Sequence, residues 1–536
     1  MVWSQFMQRC QKVNLLRTSL RLVFCIGLSL LAFYPLHAES VSLEALKRMI
    51  NDTAHLTEAP TEKGVAPTSK SNQADKVSLS SRTSIDSLGP LPSSRRVLLD
   101  VRSNHSDGKH DMDTLAKLAE KRGIDTLVFG EHDRYTIRLG LDPIAHLVGI
   151  SQEHPSLYET GLAEWFTDLK LTRKRHPDIQ IMAATESTPG YHWSGMPFKD
   201  LTLHDAERHI IALGVERPEQ IEALPSYDLR NIKGNFNLSL AFWFFFVFIL
   251  VMVLLRKRKR SVALLLMASF IAFLSTWLLQ KKVDADVDFI NTAKEQGLFT
   301  IWTHPGTLSG VRDGPMGVKL NTPPYNKRVF EAPTADAFAA VYGDTDDNTI
   351  PGGMWDRFMM DYMMGYRPDP IWAVSAGDYH EEGMAGEYLG NYPMDVWADG
   401  KDSKAVMEAL RKGHNTSWFM KKDLNVRMRV LFAEDAKGKR VLPGDVAIVD
   451  SKLHLYAAIA DATPEAGEHS NIPVLNGEWI VDGVVVAVVT LADGVVSVTP
   501  TDLARGPHVV RLRIPSQKGV RMEANPFLLK VMNYPG

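Results

Sequence analysis

Residues 112–133, MDTLAKLAEKRGIDTLVFGEHD, carry a complete helix, turn and strand in succession. Met112, Leu115, Leu118 and Ala119 recur at helical spacing and form one apolar face. Gly123 follows as a helix stop, and Ile124 to Phe129 is a short, nearly continuous apolar run of the kind a fully buried strand requires. Glu131-His132-Asp133 then places three polar, chemically capable side chains directly at the strand's end.

Working outward, the same pattern recurs. A helix running to Arg175 precedes a strand at Ile179 to Ala184 and then Glu186. A helix from Val287 and Gly297 precedes a strand at Leu298 to Thr303, and then His304-Pro305. Ala337 to Tyr342 and Ile371 to Ala376 read as further strands, the second leading to Asp378 and His380. Alternating helix and strand with polar residues at strand C-termini predicts a parallel α/β barrel with its site on the C-terminal face. After about Asp423 the pattern changes. Val426 to Ala433, Leu453 to Ile459, Trp479 to Thr490 and Val509 to Ile514 are β-rich, with Asp482-Gly483 and Asp493-Gly494 as tight turns. They predict a small antiparallel β-sandwich over 424–536.

Two other regions bear on location. Arg9, Lys12, Arg17 and Arg21 precede an apolar run from Leu22 to Tyr34, and Leu36-His37-Ala38 offers a small-residue cleavage site. Residues 1–38 therefore read as a signal peptide or signal anchor, followed by a polar linker over 39–94. Mid-chain, Phe236 to Leu255 and Ser261 to Leu279 are apolar and flank RKRKR at 256–260. Five cations in the middle of one buried helix would cost on the order of 12–18 kcal/mol. The expectation is thus a two-helix transmembrane hairpin over 236–279 with its basic tip in the cytoplasm, interrupting a barrel whose parts span 95–232 and 283–423. That orientation puts the catalytic domain on the periplasmic, extracytoplasmic side of a bacterial inner membrane, with the lipid bilayer as a partner. The hairpin falls in a strand-to-helix connection, which makes a lipid-linked substrate an expectation alongside a plain anchoring role. The Met-rich run Met354 to Met364 reads as an amphipathic helix, with a lid as the alternative.

Composition narrows the chemistry. A net charge of −3, with 45% hydrophobic and 23% charged residues, gives no reason to expect a nucleic-acid partner. The two cysteines, Cys10 and Cys25, both lie in the N-terminal segment, so a metal site elsewhere must use His, Asp and Glu. Asp107, His132, Glu186, His209, His304, Asp378 and His380, most of them at predicted strand ends, form a set that suits Zn, Mn or Fe.

The motifs SNHSDG at Ser103 to Gly108, GEHD at Gly130 to Asp133, TE at Thr185-Glu186, HIIALG at His209 to Gly214, THPG at Thr303 to Gly306 and GDYH at Gly377 to His380 occur in a telling order. In order and spacing the chain resembles the PHP (polymerase and histidinol phosphatase) metallohydrolases, most like their membrane-associated or exported CehA/McbA-type members. Asn525-Pro526 also resembles the closing motif of such proteins. The resemblance implies a distorted (β/α)7 barrel, a cluster of two or three divalent metal ions and phosphoesterase chemistry. It implies one metal site from Asp107, His132 and His380, a second from Glu186, His209 and His304, and Asp378 between them. His192 and His204 are nearby competitors for the place of His209. Two close cations would lower the pKa of a bridging water and clamp a phosphoryl group in flight.

The family normally opens with an HxH pair, and here Asp100 and Arg102 hold those places. Asp100 is able to coordinate a metal; Arg102, always protonated, is not. The expectation is that the Arg102 guanidinium replaces that cation's charge, pairing with Asp100 or a substrate phosphate, so that Arg102 and Asp378 are the candidate catalytic residues. His105 is an alternative source of a ligand. Two other functions remain open: a carbamate- or amide-type ester hydrolase on the same scaffold, and a non-catalytic binding or envelope-assembly protein.

Overall fold

The computed structural model describes residues 77–79, 88–140, 149–195, 199–225, 284–314, 317–331, 335–342, 347–383, 387–462, 473–492, 496–500 and 503–532. The segment read as a signal, the hairpin at 236–279 and the turn at 493–494 lie outside these residues.

Seven strands form the first half: β1 (Ser94–Val101), β2 (Thr126–His132), β3 (Gln180–Ser187), β4 (Ile210–Leu213), β5 (Phe299–Trp302), β6 (Ala337–Ala339) and β7 (Trp372–Val374), with β2, β3, β5, β6 and β7 at the runs read as strands. They lie side by side in sequence order. The helix Met112–Lys121 between β1 and β2 shows why the local sequence decides the local structure. The Asp111 carboxylate accepts from the Thr114 amide at 2.7 Å and caps its start. Met112, Leu115, Ala116 and Ala119 are buried, and Gly123 takes the left-handed conformation (φ 69°) that ends it. Burying side chains of the size of Met112 and Leu115 stabilises by roughly 1.5–3 kcal/mol each.

The expected fold class, a barrel of parallel strands interrupted by a two-helix transmembrane hairpin and followed by a separate sandwich, is corrected on three points. First, the sheet is mixed. β4 runs antiparallel to both β3 and β5. The physical reason is its connection: two short strands, His192–Ser194 and Thr202–His204, lie between β3 and β4. Among the described residues no helix lies there, so nothing imposes the crossover that a parallel partner needs. Second, the sheet does not end at position 423. β8 (Pro393–Trp397) pairs antiparallel with β1 and with β9 (Asn415–Met420). The sheet then continues through β14 (Val520–Ala524), β13 (Gly506–Gln517), β11 (Leu475–Val481) and β12 (Val484–Leu491). With β10 (Val446–Val449) paired parallel to β15 (Phe527–Val531), it holds 15 strands. The result is an α/β fold around one large mixed sheet. Third, the two-helix transmembrane hairpin finds no support: the eight helices among the described residues are short, and none of them is long and apolar enough to cross a membrane.

A second sheet of five strands, including Val426–Asp435 and Leu453–Asp461, covers the C-terminal part. Its core joins Met428, Leu431 and Leu455 to Trp397 and Trp418 of β8 and β9. Part of the stretch read as a linker belongs here too. Val77–Leu79 pairs with Val496–Pro500, and Leu88 packs on Val430, Phe432 and Ala458. At the turn Asp482-Gly483 both residues have positive φ (50° and 81°), as a two-residue hairpin between β11 and β12 demands.

Two junctions set the site. After β7 the chain folds back along β1: the Gly377 amide donates to the Leu99 carbonyl at 2.8 Å, Tyr379 to Asp100 at 3.1 Å, and Arg102 to Tyr379 at 2.9 Å. β7 is also the last strand of its end of the sheet. Its Ala373 amide donates to Asn525 Oδ1 at 2.8 Å, and the Ala373 carbonyl accepts from Asn415 Nδ2 at 2.9 Å and Asn525 Nδ2 at 3.2 Å. The fully buried Asn525 amide stands in for a peptide group of a further strand.

Candidate metal centre

The strand ends and their following residues bring the polar set together. Glu186, at the end of β3, is buried and central. Its Oε2 lies 3.1 Å from His209 Nδ1 and 3.5 Å from His132 Nδ1, and its Oε1 lies 3.7 Å from His304 Nε2. His209 and His304 approach each other at 3.2 Å. Glu186, His209 and His304 offer ligand atoms all within 4.8 Å of one another, the only such group among the described residues. Beside it, Asp107 Oδ2 lies 3.5 Å from His132 Nε2 and 3.2 Å from His380 Nε2.

Asp107 is carried by a tight loop whose geometry has clear causes. The Gly108 amide donates to the Ser103 carbonyl at 3.0 Å, and a Cβ on Gly108 would stand 2.3 Å from the Arg102 carbonyl oxygen. Glu131, buried at the end of β2, takes no part in the cluster. Its carboxylate accepts from the Ser103 amide at 3.0 Å and from the hydroxyls of Ser103 and Ser106, so it holds the loop.

Arg102 is fully buried, and its guanidinium faces four acceptors: the Gly130 carbonyl, Glu186 Oε2, Asp378 Oδ1 at 3.2 Å and Asp100 Oδ1 at 3.4 Å. Asp100 fits only because residue 130 is glycine; a Cβ there would lie 2.5 Å from Asp100 Oδ1. Asp100, His304 and Asp378 have positive φ (69°, 35° and 44°), a conformation that non-glycine residues adopt at a cost of about 1–3 kcal/mol and that gathers at functional sites.

The electrostatics follow from this crowding. Burial pushes Glu186 upward, but Arg102 and His209 outweigh it and hold it well below the usual carboxylate range. For Asp100 burial wins over the Arg102 charge, and its carboxyl is raised well above that range. Asp378 is lowered, burial being outweighed by Arg102. Burial disfavours charge on His380, yet its hydrogen bonds with Asp107 and Glu387 push it up to about 11.

Three side chains that the sequence did not single out support the cluster. Glu387 accepts from the His380 amide at 2.6 Å and faces its ring nitrogen at 3.4 Å. The Tyr342 hydroxyl donates to Asp378 Oδ2 at 3.1 Å. Tyr135 packs against His132 (ring centroids 4.7 Å apart) and stacks on His154. Tyr342 closes a predicted strand, and the rule that polar residues at strand ends build the site reaches it; Glu387 lies in a loop with no such signal. The alternatives weighed for ligands lie elsewhere. His105 faces Asp168 at 3.0 Å on the helix Leu162–Arg175, and His192 stacks on His204 in the small outer sheet.

The donor set fits a metal ion. Glu186 Oε1 and His209 Nε2 are buried without a hydrogen-bond partner, and two imidazoles with a carboxylate suit Zn, Mn or Fe.

Solved structures similar to the chain include a two-domain protein of Bacteroides vulgatus containing a predicted PHP-like metal-dependent phosphoesterase (12% identity, 84% of this chain and 99% of that one, TM-score 0.33). A candidate metal-dependent phosphoesterase from Bifidobacterium adolescentis is also similar (14%, 60% and 97%, TM-score 0.29). So is an amidohydrolase from Chromobacterium violaceum with bound sulfate and no metal (12%, 54% and 88%, TM-score 0.24). Likenesses this shallow do not assign an activity. No protein-family model matches the chain, and no curated protein matches it significantly.

Proposed function

We propose that the chain is a metal-dependent hydrolase acting on a phosphate ester. The observation that carries this is the buried Glu186–His209–His304 group, with two of its ligand-capable atoms unpartnered and a second carboxylate–imidazole group, Asp107, His132 and His380, beside it. Glu186, His209 and His304 would hold one ion, and Asp107, His132 and His380 a second. Bound there, the ions supply Lewis acidity toward a phosphoryl oxygen and charge to offset the oxyanion. The residues of the chain do the rest. Arg102 and Tyr342 fix the Asp378 carboxylate from two sides, leaving it ionised and in position to accept a proton from the attacking nucleophile. The Asp107, Asp378 and His380 side chains are 29%, 22% and 18% exposed, so substrate approaches from their side. An extracytoplasmic location rests on the reading of residues 1–38 as an export signal alone.

One observation favours a second reading. Arg102 fills the point where three carboxylates meet, which suits a protein that binds a ligand without hydrolysing it. The full chain, loaded with Mn or Zn, is assayed on phosphate mono- and diesters beside carboxyl and carbamate esters. Turnover of a phosphate ester that is lost in His209→Asn is expected. Turnover of carboxyl or carbamate esters alone overturns the substrate class, and retained metal with no turnover favours the binding reading.

A further inference from the structure

The carboxylates of Asp100, Glu186 and Asp378 come from three separate strand ends and converge on one point, and that point is filled. Arg102 Nη2 lies 3.4 Å from Asp100 Oδ1 and 3.2 Å from Asp378 Oδ1, and contacts Glu186 Oε2. Three carboxylates focused in a buried pocket are a hard-oxygen site for a divalent cation. Such a cluster is not stable without a compensating charge, because isolated buried carboxylates are costly. Here the compensation is covalent and permanent. The guanidinium stays protonated at any accessible pH, carries one charge instead of two, and is held from behind by the Gly130 carbonyl.

The surroundings are built to that guanidinium. Gly130 leaves room for the Asp100 carboxylate, and Asp100 takes a left-handed backbone (φ 69°) to bring it there. Glu186 is shared: Oε2 serves Arg102, while Oε1 remains free of any hydrogen bond on the side of His304. This division leaves the Glu186–His209–His304 and Asp107–His132–His380 groups as the places for metal.

We infer that Arg102 occupies the position of a metal ion, so that the centre holds at most two divalent ions and the point between Asp100, Glu186 and Asp378 is closed to a third. The inference rests on the metal-dependent reading above, and the experiment separates the two. Metal content per chain is measured by elemental mass spectrometry on the full, purified protein saturated with Mn, for the wild type, Arg102→His and Asp100→Asn, with thermal melts reporting that each is folded.

One or two ions are expected in the wild type and one more in Arg102→His, whose imidazole adds a ligand to the vacated point. Asp100→Asn is expected to leave the wild-type count unchanged, since Asp100 faces the guanidinium. Three ions in the wild type, or a loss of one ion in Asp100→Asn, would overturn the inference, and so would a folded Arg102→His with no gain. If Arg102→His does not fold, the wild-type and Asp100→Asn counts decide. A wild-type count of zero removes the metal-dependent reading instead; even then, a gain in Arg102→His supports the place-holding role of Arg102, and no gain overturns it.

Discussion

Asp356→Ala tests whether the C-terminal strands and the first half of the chain are one structure. Asp356, on the helix Met354–Met363, receives a bidentate pair from Arg511 of β13, Nε at 2.6 Å and Nη2 at 3.0 Å. Both side chains are buried, and Arg511 also donates to Glu523 Oε2 at 3.0 Å and the Thr349 carbonyl at 2.8 Å. Removing one partner of such a buried pair costs about 3–5 kcal/mol. The size of the melting shift then depends on how much unfolds together. If the roughly 350 described residues melt as one, an unfolding entropy of about 2.1 cal/mol/K per residue turns that loss into a drop of about 4–7 °C. If the roughly 95 described residues after position 423 melt alone, the same loss gives about 15–25 °C in a separate, smaller transition. Differential scanning calorimetry distinguishes these. A single transition lowered by about 4–7 °C is expected; a separate transition with the large shift refutes the continuity of the sheet, and an unmoved Tm refutes the role of the ion pair.

Three further outcomes are expected. Gly130→Ala places a methyl 2.5 Å from Asp100 Oδ1 and 2.9 Å from its Cα, and should cost at least about 1–3 kcal/mol in urea unfolding; a change under about 0.5 kcal/mol refutes the crowding there. Tyr342→Phe removes the hydroxyl that donates to Asp378 and should lower kcat about tenfold or more with metal content unchanged; wild-type kcat would mean that Tyr342 does not position Asp378. His508 is raised, chiefly by its 2.7 Å hydrogen bond with Asp482. A raised folded-state pKa gives stability that is present below the unfolded value near 6.5 and is lost as pH rises through the folded one. The stability lost in His508→Gln should therefore be larger at pH 6 than at pH 9, and the reverse order in urea titrations at the two pH values contradicts it.

Much of the site was legible because its chemistry sits at strand ends, where period and polarity change abruptly. Glu186, His209 and His304 end or border buried runs, and the structure brings them within ligand distance of one another. Direction and partnership were not legible. Apolar runs state that a strand is buried, not which way it points, so the reversed β4 escaped. The pairing of β8 with β1 joins residues almost 300 positions apart, and no local pattern encodes it. The same holds for Glu387, whose role comes only from the fold bringing its loop to His380.

The Asn525 amide that completes the free edge of β7 also sets an order of events during synthesis. Every candidate ligand up to His380 leaves the ribosome well before the side chain that holds Ala373 in place, 152 positions downstream. At about 5–20 residues per second that interval is roughly 8–30 seconds. Throughout it, the strand that delivers Asp378 has an unfinished edge, and a nascent chain stalled before residue 525 carries all its chemistry without the support that aligns it. The alignment of that strand is thereby tied to the arrival of a side chain 152 positions further along the chain.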